Sequence, residues 1–237
     1  MSVQRALLAA VSIGVLAAAI LPAAASPVAL DLGPFSAASI GTAIEARIVV
    51  GETQSVEIDV NDPAMLEDLK VDVVNGVLRA WIDSDFWDAI SFRDNTVRLT
   101  VSMPALRRVA ATSAAHVVIL GVRGEELLIS ADSAARVELT DLAVASLLLD
   151  VDSAAQLVVS GTCGRAVARV HSVARVDAGA LKCTDLNVDA TSASNSRFTA
   201  SGNVEARATS AANVKLMGRP ASLYMDTDSA GGIDVIE

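Results

Sequence analysis

From residue 111 onward, apolar and polar residues alternate along the chain, and the alternation restarts about every 20 positions. Each restart falls on a short motif. It reads Ser113-Ala114-Ala115-His116-Val117, then SAARV from Ser133 and SAAQL from Ser153, with weaker copies at Ser172, Ser192, Ser210 and Ser229. The spacings between these serines are 20, 20, 19, 20, 18 and 19 residues. With each Ser as zero, position +4 holds Val117, Val137, Leu157, Val176, Ser196, Val214 and Ile233, and position +6 holds Ile119, Leu139, Val159, Ala178, Phe198, Leu216 and Val235. Before the last six serines, position −6 holds Leu127, Leu147, Ala166, Leu186, Val204 and Leu223. Positions −4 and −2 are small or apolar as well, while the residues between are mostly polar.

Period-2 alternation belongs to strands with one buried face. Each unit therefore holds one strand running into the Ser and one running out, with no room for a useful helix. A unit of this size cannot bury its apolar face alone, and stacking many units makes one continuous core. The predicted fold is all-β: a parallel β-helix, right-handed as other parallel crossovers are. Seven coils ~4.8 Å apart would make a rod roughly 30 Å long. The corner column Ser113, Ser133, Ser153, Ser172, Ser192, Ser210 and Ser229 needs small residues, and its hydroxyls are expected to bond a neighbouring coil or their own backbone. Gly121, Gly161 and Gly218 sit at +8, as turn residues would.

Ahead of the repeats the chain divides in two. Residues 1–25 read as a secretory signal peptide: Arg5, an apolar run from Ala6 to Ile20, and Ala23-Ala24-Ala25 before Ser26 as a cleavage site. The run is short for a bilayer span, and no later stretch is apolar enough to be one. The chain is thus expected to be exported to the periplasm, the cell surface or the medium, and not to span a membrane after cleavage. Residues 26–110 lack the period but still read as β, with candidate strands Ile44–Val50, Ser55–Val60, Leu69–Val74, Val77–Ile82 and Thr96–Ser102. Asn75-Gly76 marks a hairpin, and Asp62 to Asp68 a short helix with Pro63 at its first position. This region is expected to cap the open end of the solenoid formed by residues 111–237.

Composition changes the picture little. Hydrophobic residues make up 52% of the chain but aromatics only 3%, which suits thin stacked coils. Losing Arg5 with the signal leaves 17 of 18 Lys+Arg against 28 Asp+Glu, a net charge of −11. That argues against nucleic acid or an anionic lipid surface as partner, since both need a basic face.

The hairpin Val73-Val74-Asn75-Gly76-Val77-Leu78, the run Val101-Ser102-Met103-Pro104-Ala105-Leu106 and the serial Ser-Ala-Ala-x-Val corners resemble the auto-transporter adhesin "head GIN" family, a bacterial domain of unassigned function. The resemblance spans roughly Phe35 to Val235. It implies an exported β-helical protein, and it supplies no catalytic residues to carry over.

Candidate sites are few. Cys163 and Cys183 each lie nine residues before the next Ser, so they share a column of adjacent coils. Equivalent Cα atoms there are about 5 Å apart, within reach of a disulfide in an oxidising compartment. His116 and His171 share no column and read as surface residues. Asp132, Asp152 and Asp228 share position −1, either a solvated edge or a calcium-binding row. No metal or other cofactor is expected. Trp81, Asp83, Asp85, Phe86, Trp87 and Asp88, with Phe92 beyond, concentrate aromatics beside acids. They suit either a sugar-binding surface or a lid on the open end. The reading that follows is a non-enzymatic, adhesin-like protein presenting a β-helical face to a glycan or an envelope protein. The alternatives are a polysaccharide-active enzyme on the same scaffold, which is analogy of fold, and a purely structural envelope protein. The last coil has no evident cap, so a partner or another copy of the chain is expected to cover it.

Overall fold

A computed structural model describes residues 27–83 and 96–236. Asp85, Phe86, Trp87, Asp88 and Phe92 lie outside the described residues. The elements are β1 (Val28–Leu30), β2 (Ala37–Ile40), β3 (Glu45–Val50), β4 (Ser55–Val60), α1 (Met65–Asp68), β5 (Leu69–Val74), β6 (Val77–Ile82), β7 (Val97–Met103), β8 (Arg108–Ala111), β9 (His116–Leu120), β10 (Arg123–Ala131), β11 (Arg136–Val151), β12 (Gln156–Val170), β13 (Arg175–Ala190), β14 (Asn195–Ala200), β15 (Asn203–Ala208), β16 (Asn213–Met217), β17 (Ser222–Thr227) and β18 (Gly232–Ile236). From β8 on, every pairing is parallel, and each strand lies on the equivalent strand of the next coil. The fold is a β-solenoid, as the alternation predicts.

The corners hold the register. At each one the Ser and the residue after it both have positive φ, for example 52° and 60° at Ser113 and Ala114. The N–H of the residue beyond donates to the carbonyl of the residue before, as Ala135 does to Asp132 at 3.1 Å. Two left-handed residues closed by this bond make a type I′ turn. A Cβ in that conformation costs roughly 1–2 kcal/mol per residue, so the corner must be held by its neighbours. It is: Ala114 N–H donates to Ser133 O, Ala134 to Ser153, Ala154 to Ser172, Val173 to Ser192, Ala193 to Ser210 and Ala211 to Ser229, all at 2.9–3.0 Å. The column of serines is thus tied by backbone. Among the hydroxyls, that of Ser172 bonds the Asp152 carboxylate one coil back.

An eighth corner precedes the seven. Thr42 and Ala43 have φ of 53° and 56°, and Ala43 N–H donates to Ser113 O at 2.9 Å. β2 and β3 flank it and pair in parallel with β8 and β9. The intervening chain runs outward. β6 and β7 stack on the far side of β2 and β3. The pairing then turns antiparallel, with β5 on β6, β4 on β7 and β1 on β4. The strands from β3 to β7 fall where the alternation predicts, to within one residue, and the helix shortens to the single turn of α1. Because α1 links β4 on one face to β5 on the other, it crosses the end of the stack, and its Met65 is buried there.

Unequal coil lengths are absorbed away from the corner. Register shifts fall at Leu139/Leu142, Val158/Ser160 and Ala178/Lys182. Gly161 sits in one such bend with φ +135°, where an added Cβ would lie 2.2 Å from the Leu142 carbonyl oxygen.

One coil breaks the core pattern. Ser194 and Ser196 are buried with hydroxyls that find no partner. Their columns elsewhere hold Ala174 and Ala212, and Val176 and Val214. A buried hydroxyl without a partner costs roughly 1–3 kcal/mol. Ser196→Val is therefore expected to raise the free energy of unfolding by about 1–2 kcal/mol once the added methyls are counted, and the urea midpoint with it. A midpoint that falls would show that the site has no room for the methyls.

Candidate functional site: the outward faces of the solenoid

In a strand with one buried face, the other face is fixed by the same alternation. Stacking then converts sequence positions into columns of outward side chains. On the face after the corner, position +3 runs Arg136, Gln156, Arg175, Asn195, Asn213. Position +5 runs Glu138, Val158, Asp177, Arg197, Lys215. Between these columns lies a shallow groove of about 350 Å³ lined by Gln156, Val158, Arg175, Asn195, Arg197 and Lys215, with Asp177 and Asn213. Arg197 lies 3.5 Å from Asp177. Arg175 and Lys215 have no ion-pair partner among the described residues. The groove therefore carries a net positive charge on a chain whose formal charge is −10. Val158, 42% exposed, gives it an apolar floor.

At the upper end of the same columns, Arg136 Nε donates to Glu138 Oε1 at 2.7 Å and Arg136 Nη1 to Gln156 Oε1 at 3.3 Å. The Arg136 bond holds the Glu138 carboxyl below its usual range, against the opposing pull of burial.

The face before the corner differs. Position −3 runs Ser130, Asp150, Arg169, Asp189, Arg207, Asp226, a column of alternating sign. Opposite charges on adjacent strands attract, and Arg207 reaches Asp226 at 2.9 Å. Position −5 starts with Arg108 and continues through Leu128, Leu148 and Val167, three half-buried apolar side chains pointing outward. They line a second groove of about 380 Å³, flanked by Arg108 and Arg169.

The residues singled out by sequence fall as follows. Trp81 is half-buried on the outward side of β6, and the Arg79 guanidinium stands over its ring at 5.3 Å. Arg79 forms a two-pronged pair with Asp72, its cross-strand neighbour on β5. That bond holds the Asp72 carboxyl below its usual value. Asp83 is exposed, and its N–H donates to Asp68 O at 2.9 Å. Trp81 and Asp83 are thus placed at the N-terminal end of the stack, several coils from the groove at Arg175. Cys163 and Cys183 are in register, Cα to Cα 4.5 Å, and joined by a disulfide. The three −1 aspartates turn inward on their own corners: Asp132, Asp152 and Asp228 each accept the N–H of the following Ser at 2.6–2.7 Å. The Asp152 carboxyl is held below its usual range, first by the Ser172 hydroxyl, then by the Ser153 N–H and the nearby His171. His171 Nδ1 lies 2.8 Å from Thr191 Oγ1, and His116 Nε2 lies 3.5 Å from Glu138. Sequence reasoning missed the Arg175–Lys215 groove. Its signal in the sequence is the run of polar residues at positions +3 and +5 of successive repeats.

Among the described residues, no helix is long and apolar enough to cross a membrane. No curated protein matches the sequence. The chain is similar in fold to a "putative adhesin" from Bacteroides fragilis, with TM-score 0.77 and 16% identity over 89% of this chain and 96% of that one. It is also similar to a "putative lipid binding protein" from Parabacteroides distasonis, with TM-score 0.69 and 11% identity over 90% and 96% of the two chains. A "putative adhesin" from Parabacteroides merdae shares the fold with TM-score 0.66 and 14% identity, again over 90% and 96%. A family model matches residues 34–220 of the 237, which takes in the capped end and the stack up to the last coil. The chain belongs to the family described as "putative auto-transporter adhesin, head GIN domain".

Proposed function

We propose that this chain is an exported, non-enzymatic, adhesin-like protein that holds an extended glycan along the groove of Gln156, Arg175, Asn195, Arg197, Asn213 and Lys215. The observation that carries this is the row of amide and cationic side chains that the register brings together, Gln156, Arg175, Asn195 and Asn213 in one column and Arg197 and Lys215 in the other. Amides donate to and accept from hydroxyls, and guanidinium and ammonium groups donate to carboxylates. Val158 offers an apolar patch for the carbon face of a sugar ring. At a coil spacing of ~4.8 Å, a ligand lying along the groove meets an amide or a cationic group at every coil from Gln156 to Lys215. Weak contacts summed this way give useful avidity.

The test is retention on immobilised acidic and neutral polysaccharides, with the double variant Arg175→Ala/Lys215→Ala beside the wild type. Both side chains are exposed, so the fold is expected to survive. Retention on acidic glycans should drop at least tenfold, the equivalent of about one lost charge-assisted bond. Retention that the double variant leaves unchanged would rule this groove out.

The outward column of Leu128, Leu148 and Val167 between Arg108 and Arg169 favours a second reading, an acyl chain beside an anionic head group. Binding of the same protein to phosphatidylglycerol vesicles, lost in Leu148→Asp, would support it over the glycan.

A further inference from the structure

The last coil departs from the rule that every other coil obeys. Position +6 is at most 3% exposed from Ile119 through Leu216, then 41% at Val235. Position −4 is at most 2% exposed from Ile129 through Ala206, then 47% at Met225. Tyr224 and Ile236 are exposed as well. Met225 and Val235 hold core positions of a coil on which none of the described residues stacks. The backbone of β17 and β18 is likewise an open sheet edge, the kind of surface that pairs with another chain unless it is protected. The opposite end of the stack is closed by the antiparallel strands β1, β4 and β5 and by α1. Copies therefore cannot stack head to tail.

We propose that two copies of this chain associate end to end through this coil, about a two-fold axis passing through the Ser229 corner. The pattern around that corner is self-complementary. β17 runs into it and β18 runs out of it, with six and five residues. A two-fold axis at the corner lays β17 of one copy antiparallel on β18 of the other, and the reverse. In the register centred on Ser229, Met225 meets Ile233 of the second copy and Leu223 meets its Val235, so core faces core. On the outward side Tyr224 meets Asp234, a hydroxyl beside a carboxylate, and Asp226 meets Gly232. No two acids are set opposite each other, and Asp226 is already neutralised by Arg207. The contact is isologous and closes at two copies.

The footprint is small. Strands ~20 Å long on two faces ~10 Å apart outline roughly 400 Å² per copy with side chains included. The total of roughly 800 Å² is short of the ~1,200 Å² at which standard interfaces begin. Edge-strand hydrogen bonds supply the specificity, and the dimer should dissociate in the micromolar range.

Sedimentation equilibrium on the full chain, from low to hundreds of micromolar, tests this. A monomer–dimer equilibrium with no larger species is expected. Met225→Lys, which puts a charge on an edge position already half exposed, should leave a monomer with an unchanged urea midpoint. Ser229→Cys lies on the axis and should give a covalent dimer on mild oxidation. A monomer at every concentration, dimers that Met225→Lys leaves intact, or open-ended oligomers would each overturn the proposal.

Discussion

Phe198→Ala is expected to lower the free energy of unfolding by about 3–5 kcal/mol, the range for emptying a large buried aromatic site. Phe198 heads the fully buried side chains by volume, at 2% exposed, in a core built mostly from Ala, Val, Leu and Ile. Its neighbours within the column are Ala178 and Leu216. Ala178, on one side of it, is too short to fill the space that the ring would leave. In a solenoid each coil leans only on its neighbours. Amide exchange should therefore speed up most in the coils beyond β14, while the capped N-terminal end keeps its protection. Urea titration supplies the number. A loss under about 1 kcal/mol would mean that the cavity collapses and that this core is softer than the close packing of its columns implies.

The second large effect concerns the disulfide. Reduction, or Cys163→Ala with Cys183→Ala, is expected to lower stability by about 3 kcal/mol, the loop-closure value for a separation of this size. The separation is 20 residues, one coil. Both cysteines occupy a buried column between Val144 and Ala200, so alanine there leaves little strain. Reductant should shift the wild-type midpoint and leave the double variant where it is. Two titratable thiols in the unreduced, denatured protein would contradict the pairing.

What could be read from sequence, and what could not, follows from how each feature is encoded. The seven corners were legible because a left-handed turn stacked on its own copies favours small residues, Val173 being the exception, so nearly the same letters recur at a fixed interval. The eighth corner was not. It reads Gly41-Thr42-Ala43-Ile44, and the outward excursion from β4 to β7 places it far more than one period from Ser113. The strands β1 and β2 were missed because three or four residues give too little alternation to count. The ladder that ties the corners is made by backbone N–H and carbonyl groups, which leave no trace in residue identity. The groove was hidden for another reason. Gln156, Arg175, Asn195 and Lys215 each look like ordinary surface residues, and only the register shows that they converge. Local composition drew attention instead to the stretch from Trp81 to Phe92. Of that stretch the structure describes Trp81 through Asp83, with Trp81 held under Arg79 at the capped end.

The central claim is that the columns bind without cutting. Purified protein incubated with a panel of envelope and plant polysaccharides should be scored for retention and for new chain ends together. The account predicts retention on at least one acidic polysaccharide with no new ends. New chain ends that increase with time would contradict it and make the chain an enzyme.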